Sequence, residues 1–86
     1  MNTQHTNPHY APYRGYPNWQ LWNISLWINN TEVLYFRAVK LVERYGPRKA
    51  AEKLSAELRG QKTPDGVPYT KIALIYVLTE LRNEVH

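Results

Sequence analysis

A chain of 86 residues with 43% apolar and 13% aromatic side chains is long enough for one domain and short enough that its core must be unusually aromatic. It has no cysteine, which excludes disulfides and thiolate metal sites and makes a cytoplasmic location the expectation. The net charge of +4 matters less than its distribution: between positions 37 and 62 stand eight basic residues and only Glu43, Glu52 and Glu57 on the acidic side, an excess suited to phosphates, to an acidic protein surface, or to an ordinary solvated face of two helices.

Residues 1–17 carry Pro8, Pro12 and Pro17 among His5, His9, Tyr10, Tyr13, Arg14 and Tyr16, and show neither a helical nor a strand period. They read as a flexible tail whose aromatic and Arg content can stack on nucleobases or lie over the domain's own surface. The start lacks the apolar core of a signal peptide, and the longest apolar run, residues 72–78, is far too short for a bilayer, so a soluble protein with no membrane partner is expected. His5 and His9 are four apart with no third ligand, and no metal is assigned to them.

Residues 18–86 read as a single all-α domain of four helices, with residues 18–35, NWQLWNISLWINNTEVLY, as the hub the others wrap. As a helix this stretch puts Leu21, Ile24 and Ile28 on one face with Trp22 and Leu26 beside them, leaving Gln20, Asn23, Trp27 and Asn30 as a narrow polar stripe. A strand over residues 19–28 remains open, because Trp22, Ile24, Leu26 and Ile28 also alternate against Asn23 and Ser25. Trp19, Trp22 and Asn23 are assigned to architecture, Asn23 through bonds to buried backbone, and Trp27 is a candidate protein contact. The spacing of Asn29 to Glu32 fits a capping box for the next helix.

The second predicted helix covers about residues 31–45, with Leu34, Ala38, Leu41 and Tyr45 as its buried stripe and Arg37, Lys40 and Arg44 on the other side. Gly46 supplies the stop, and Pro47 opens a third helix to about residue 59 whose inner face, Ala50, Ala51, Leu54 and Leu58, is small. Residues 61–68 form a compact turn around Pro64, Asp65-Gly66 and Pro68. A fourth helix runs from Tyr69 or Thr70 to about Glu84, with Leu74, Val77, Leu78, Leu81 and Val85 inward and Lys71, Ile75, Thr79 and Arg82 outward.

Catalysis finds little to work with. Ser25 and Ser55 lie in no nucleophile motif, the histidines fall in the tail and at His86, the glutamates are interspersed among cations, and no Gly-rich phosphate loop exists. A non-enzymatic protein without cofactor is expected.

In its tryptophan spacing, Trp19, Trp22, Asn23, Leu26, Trp27, Asn30, Leu34 and Tyr35, the chain resembles a family of small proteins carried by phages, plasmids and other mobile elements, with an Asn-Trp-Glu-Thr-Trp-Asn signature. Gln20 and Leu21 depart from it, and KTPDG at residues 62–66 is similar to a turn common in the same family. The resemblance implies genomic company and no activity. Residues 50–78 also resemble the helix-turn-helix region of the large serine recombinases, with Tyr69 and Thr70 at the aromatic-Ser/Thr pair that opens a recognition helix. The outward residues Ile75 and Tyr76 suit a protein contact better than base readout.

Two functions are therefore expected. One is an inhibitor or modulator of a host nucleoprotein machine, of the anti-CRISPR or anti-restriction class. Because DNA mimics are acidic, it would engage a host protein, a protein–nucleic acid complex, or DNA or RNA directly through Arg37, Lys40, Arg44, Arg48, Lys49, Lys53 and Lys71, with Trp27, Ile75 and Tyr76 as protein contacts. The other is a DNA-binding regulator or recombination accessory protein, in which Tyr69, Thr70 and Lys71 approach bases. A homodimer that covers surplus tryptophan surface is compatible with either.

Overall fold

The computed structural model describes residues 11–85, with side chains as far as residue 84. His5, His9, Tyr10, His86 and the side chain of Val85 lie outside the described residues. Four helices follow one another, α1 (Trp19–Asn30), α2 (Glu32–Tyr45), α3 (Pro47–Glu57) and α4 (Lys71–Val85), and no strand forms among the described residues. The all-α expectation holds, and the tryptophan segment is a helix. No described helix is long and apolar enough to cross a membrane.

Helix α1 starts where Asn18, in extended backbone, accepts the Leu21 N–H on its Oδ1 at 2.9 Å. At the other end Asn29 and Asn30 turn their amides back onto the carbonyl oxygens of Ser25 and Leu26, at 2.9 and 2.7 Å. This corrects the expected capping box: both asparagines are used within α1, and Thr31 precedes α2 without a side-chain cap. Glu32 does occupy the first turn of α2, where the helix dipole favours it. Gly46 ends α2 by donating its N–H to the Val42 carbonyl oxygen at 2.8 Å, and Pro47 opens α3.

The core is built from Ile24 and Ile28 of α1, Ala38, Leu41 and Val42 of α2, Ala50, Ala51 and Leu54 of α3, and Leu74, Val77, Leu78 and Leu81 of α4. Helices α2 and α4 each approach all three others, α4 packing most extensively on α3, whereas α1 and α3 do not meet. The centre is therefore held by α2 and α4 rather than by the tryptophan helix. The reason is steric: the fully buried Ala50 and Ala51 let α3 close on α4, while three indoles are too bulky for the centre of so small a bundle and stay half-buried at its rim.

Residues 58–70 join α3 to α4 as a hairpin-like loop. Thr63 and Val67 pair through the backbone at 2.8 Å, Lys62 bridges Pro68, and Val67 and Tyr69 drop into the core. Thr70 then caps α4, its Oγ1 accepting the Ala73 N–H at 3.2 Å. The connector is longer than the three- or four-residue turn of a helix-turn-helix, so α3 and α4 share that motif's order but not its turn. At the other end of the chain, Tyr13 and Tyr16 exchange backbone bonds at 2.9 and 2.8 Å across Arg14 and Gly15, both at positive φ, the geometry of a two-residue hairpin turn. That turn lies on α1: the Tyr16 hydroxyl meets Ser25 Oγ at 2.8 Å, and the Tyr13 ring stands edge-on to Trp22 with centroids 4.9 Å apart.

Candidate functional site

Two constellations stand out, a polar clasp and a basic band. Asn23 and Trp27, four apart on α1, share a helix face. Both donate to the same atom, Oδ2 of Asp65 in the connector, each at 2.8 Å. Thr63 Oγ1 donates to Asn23 Oδ1 at 2.7 Å and accepts the Val67 N–H at 3.1 Å. Asn23 is wholly buried, so its amide is satisfied by connector side chains and not by the buried backbone expected of it. The bond from Asn23, and next that from Trp27, hold the Asp65 carboxyl below the usual carboxylate range. The NWQLWN and KTPDG stretches thus form one joint that fastens the connector to α1. Trp27 is half-buried with its N–H engaged there, which makes it part of the joint instead of an open anchor.

The basic band begins in a groove of about 720 Å³ between α2 and α3, lined by Arg37, Lys40, Arg44, Tyr45 and Lys53, with Glu43 and Glu57 between them, over Leu41 and Ala56. Arg37 is held by Glu57 in a two-bond fork, Nε donating to Oε1 at 3.0 Å and Nη2 to Oε2. The fork raises the Arg37 pKa and lowers that of Glu57, each chiefly through the shared hydrogen bond. Lys40, Arg44 and Lys53 form no ion pair among the described residues. Lys53 Nζ instead sits 4.6 Å and Arg44 Cζ 5.6 Å from the centre of the Tyr45 ring.

Tyr45 also lines a second groove of about 510 Å³ at the α2–α3 corner, with Arg48, Ile75, Thr79 and Arg82. Arg48 and Ile75 in turn line a third, of about 280 Å³, with Lys49, Glu52 and Lys71. Shared residues join the three into one path. All seven predicted cations lie along it: Arg37, Lys40, Arg44 and Lys53 before the corner, Arg48, Lys49 and Lys71 after. Lys71 is weakly engaged, 4.0 Å from Glu52 Oε2.

Of the predicted protein contacts, Ile75 is half-buried beside the second and third grooves. Tyr76 is half-buried, its ring centroid 6.3 Å from that of Tyr16, and burial, then Glu80 and Tyr16, push its phenol pKa up. Tyr69, expected to approach bases, is in the core, and the same burial raises its phenol. The exposed large apolar residues are others: Val33, Phe36, Tyr45 and Ile72. Tyr45 was expected in the buried stripe, but it is 41% exposed because α2 ends there and Gly46 turns the chain away. Val33 had a signal, since it precedes Arg37 by four and Lys40 by seven and so shares their face; Ile72 had none beyond its place in the apolar run.

Fold and site define a small four-helix protein with a clasped connector and a basic band on the α2–α3–α4 side. The chain belongs to a family of unknown function, DUF7249, which it matches over residues 9–85. No curated protein and no solved structure matches it.

Proposed function

We propose that this is a non-enzymatic binding protein that modulates a host nucleoprotein machine, in the manner of anti-CRISPR or anti-restriction proteins, by gripping an anionic surface with the basic band. The observation that carries the reading is the continuity of the band: seven cations from three helices share one path, and most of them are unpaired among the described residues. The resemblance of the tryptophan segment to proteins of phages and plasmids supports the counter-defence part and a cytoplasmic site of action in the host.

The test is the full chain expressed in bacteria that carry an active CRISPR or restriction system, scored by phage plating. Wild-type protein should raise plating, and Lys40→Glu with Lys49→Glu, one cation on each side of the corner, should abolish the effect. Plating that ignores the chain altogether, across several such systems, would sink this reading. A DNA-binding regulator is the second reading, favoured by the order of α3 and α4 and by Lys71 at the end of the band. It ranks second because α4 offers Ile72 and Ile75 where a base reader needs donors. Under it, affinity for mixed-sequence duplex falls steeply with salt.

A further inference from the structure

We infer that the band takes single-stranded nucleic acid, with Tyr45 as the platform on which one base stacks. This deepens the basic-band reading above and rests on it. Phosphates and acidic side chains would both satisfy the cations, so charge alone leaves the occupant open; the aromatic ring and the course of the band decide it.

Tyr45 stands where the first and second grooves meet, and it lines both. The residue is 41% exposed, and Lys53 Nζ and Arg44 Cζ lie over its ring, 4.6 and 5.6 Å from the centroid. A base that stacks on that ring takes the place of a cation over it and brings its own phosphate within reach of the one displaced. Lys40 then serves the neighbouring phosphate on one side and Arg48 that on the other. An acidic peptide would use the same cations but gains nothing specific from an aromatic surface between them, whereas every nucleobase has a face to stack.

The path also selects single strand over duplex. From the α2–α3 groove the band passes over the corner at Gly46 into the grooves against α4, so a ligand that fills it follows the surface round that corner. A single strand bends there freely, while duplex DNA is stiff over about 150 base pairs. Beyond the corner the outer side of α4 sets the apolar Ile72 and Ile75 between Lys71 and Arg82, cations suited to phosphates, so stacking and phosphate contacts are the means of recognition.

The experiment is fluorescence anisotropy of the full chain with labelled oligo(dU) and oligo(U) of about twelve nucleotides, a mixed duplex of the same length, and polyglutamate. Both single strands should bind more tightly than the duplex, with affinity falling as salt rises. Tyr45→Ala and Tyr45→Leu should each weaken single-strand binding by about tenfold or more, and Tyr45→Phe should leave it nearly unchanged. Circular dichroism checks that the variants fold, and the leucine variant keeps an apolar side chain at the corner. A preference between the two oligonucleotides assigns the sugar. Equal or tighter binding of duplex, or wild-type affinity in both Tyr45→Ala and Tyr45→Leu, overturns the inference. Binding of polyglutamate alone, lost in Lys40→Glu/Lys49→Glu, overturns it too and leaves the basic band standing as a protein-binding surface. If none of the four probes binds, both readings fall.

Discussion

Asn23 shows how much a single buried amide can hold. Its two ends join the connector twice, to Asp65 and to Thr63, from a position with no exposure to water. Asn23→Ala leaves the Thr63 hydroxyl without that acceptor in the interior, and a cost of about 1–3 kcal/mol is expected in urea unfolding. Trp27→Phe removes the donor at the exposed edge of the clasp and part of a half-buried ring but leaves both Asn23 bonds, and should cost less. The carboxylates give the pH dependence its sign. Asp65 and Glu57 both titrate below their usual range in the folded chain, Asp65 because Asn23 and Trp27 donate to it and Glu57 because Arg37 does. Their contribution is complete above the unfolded carboxyl range, at about pH 4, and is lost as the pH falls through the lower folded values. Urea midpoints taken from neutral to acid pH should drop there, and Asp65→Asn should flatten the drop. The sequence reads Asn23 as architectural although it shares a polar stripe with Gln20, Trp27 and Asn30, and the side chain is indeed buried. Its partners were not legible, because Thr63 and Asp65 lie 40 and 42 residues downstream and only the fold brings them to it.

Among the elements, the α2–α3 corner carries the most consequence because it sets where the band bends. Gly46 sits at φ 83° and ψ 165°, a region essentially closed to residues with a Cβ. A methyl group there would meet no atom within 4 Å, so the cost of Gly46→Ala is all backbone. It should amount to about 1–3 kcal/mol by thermal unfolding, and an unchanged melting temperature would show that the corner relaxes. Helix positions and the corner were legible from Gly46-Pro47, from the Ala50-Ala51 pair and from the period of α4, because each follows from local chain chemistry. Which helices take the centre was not. Hydrophobic volume pointed to α1, yet burial depends on how closely two backbones approach, and that is decided by small residues on the partner. The same limit explains Tyr45, which fits its stripe by period and leaves it because the helix ends.

For the whole molecule, the sides of the bundle do separate work. The turn at residues 11–17 covers the tryptophan end of α1, with Tyr16 on Ser25 and Arg14 5.6 Å over the Trp22 ring. The indole surface that made a dimer attractive is thus partly covered within the chain. The cations are instead on surfaces of α2, α3 and α4 that no described residue covers. Stability and binding should therefore separate under mutation. Tyr13→Ala with Tyr16→Ala removes the edge contact to Trp22 and the bond to Ser25, and is expected to cost at least about 1 kcal/mol and to shift tryptophan emission to the red. Anion binding through the band should survive it at temperatures where the variant is folded. Lys40→Glu with Lys49→Glu changes two exposed residues outside the core, so its unfolding free energy should stay within about 0.5 kcal/mol per site while binding is lost. Unfolding midpoints and anisotropy measured on the same preparations compare the two. Were the charge reversals to unfold the bundle, or the tyrosine changes to abolish binding in a folded protein, the band and the aromatic cover would be one coupled surface, and loss of binding in a variant could no longer be read as loss of a contact.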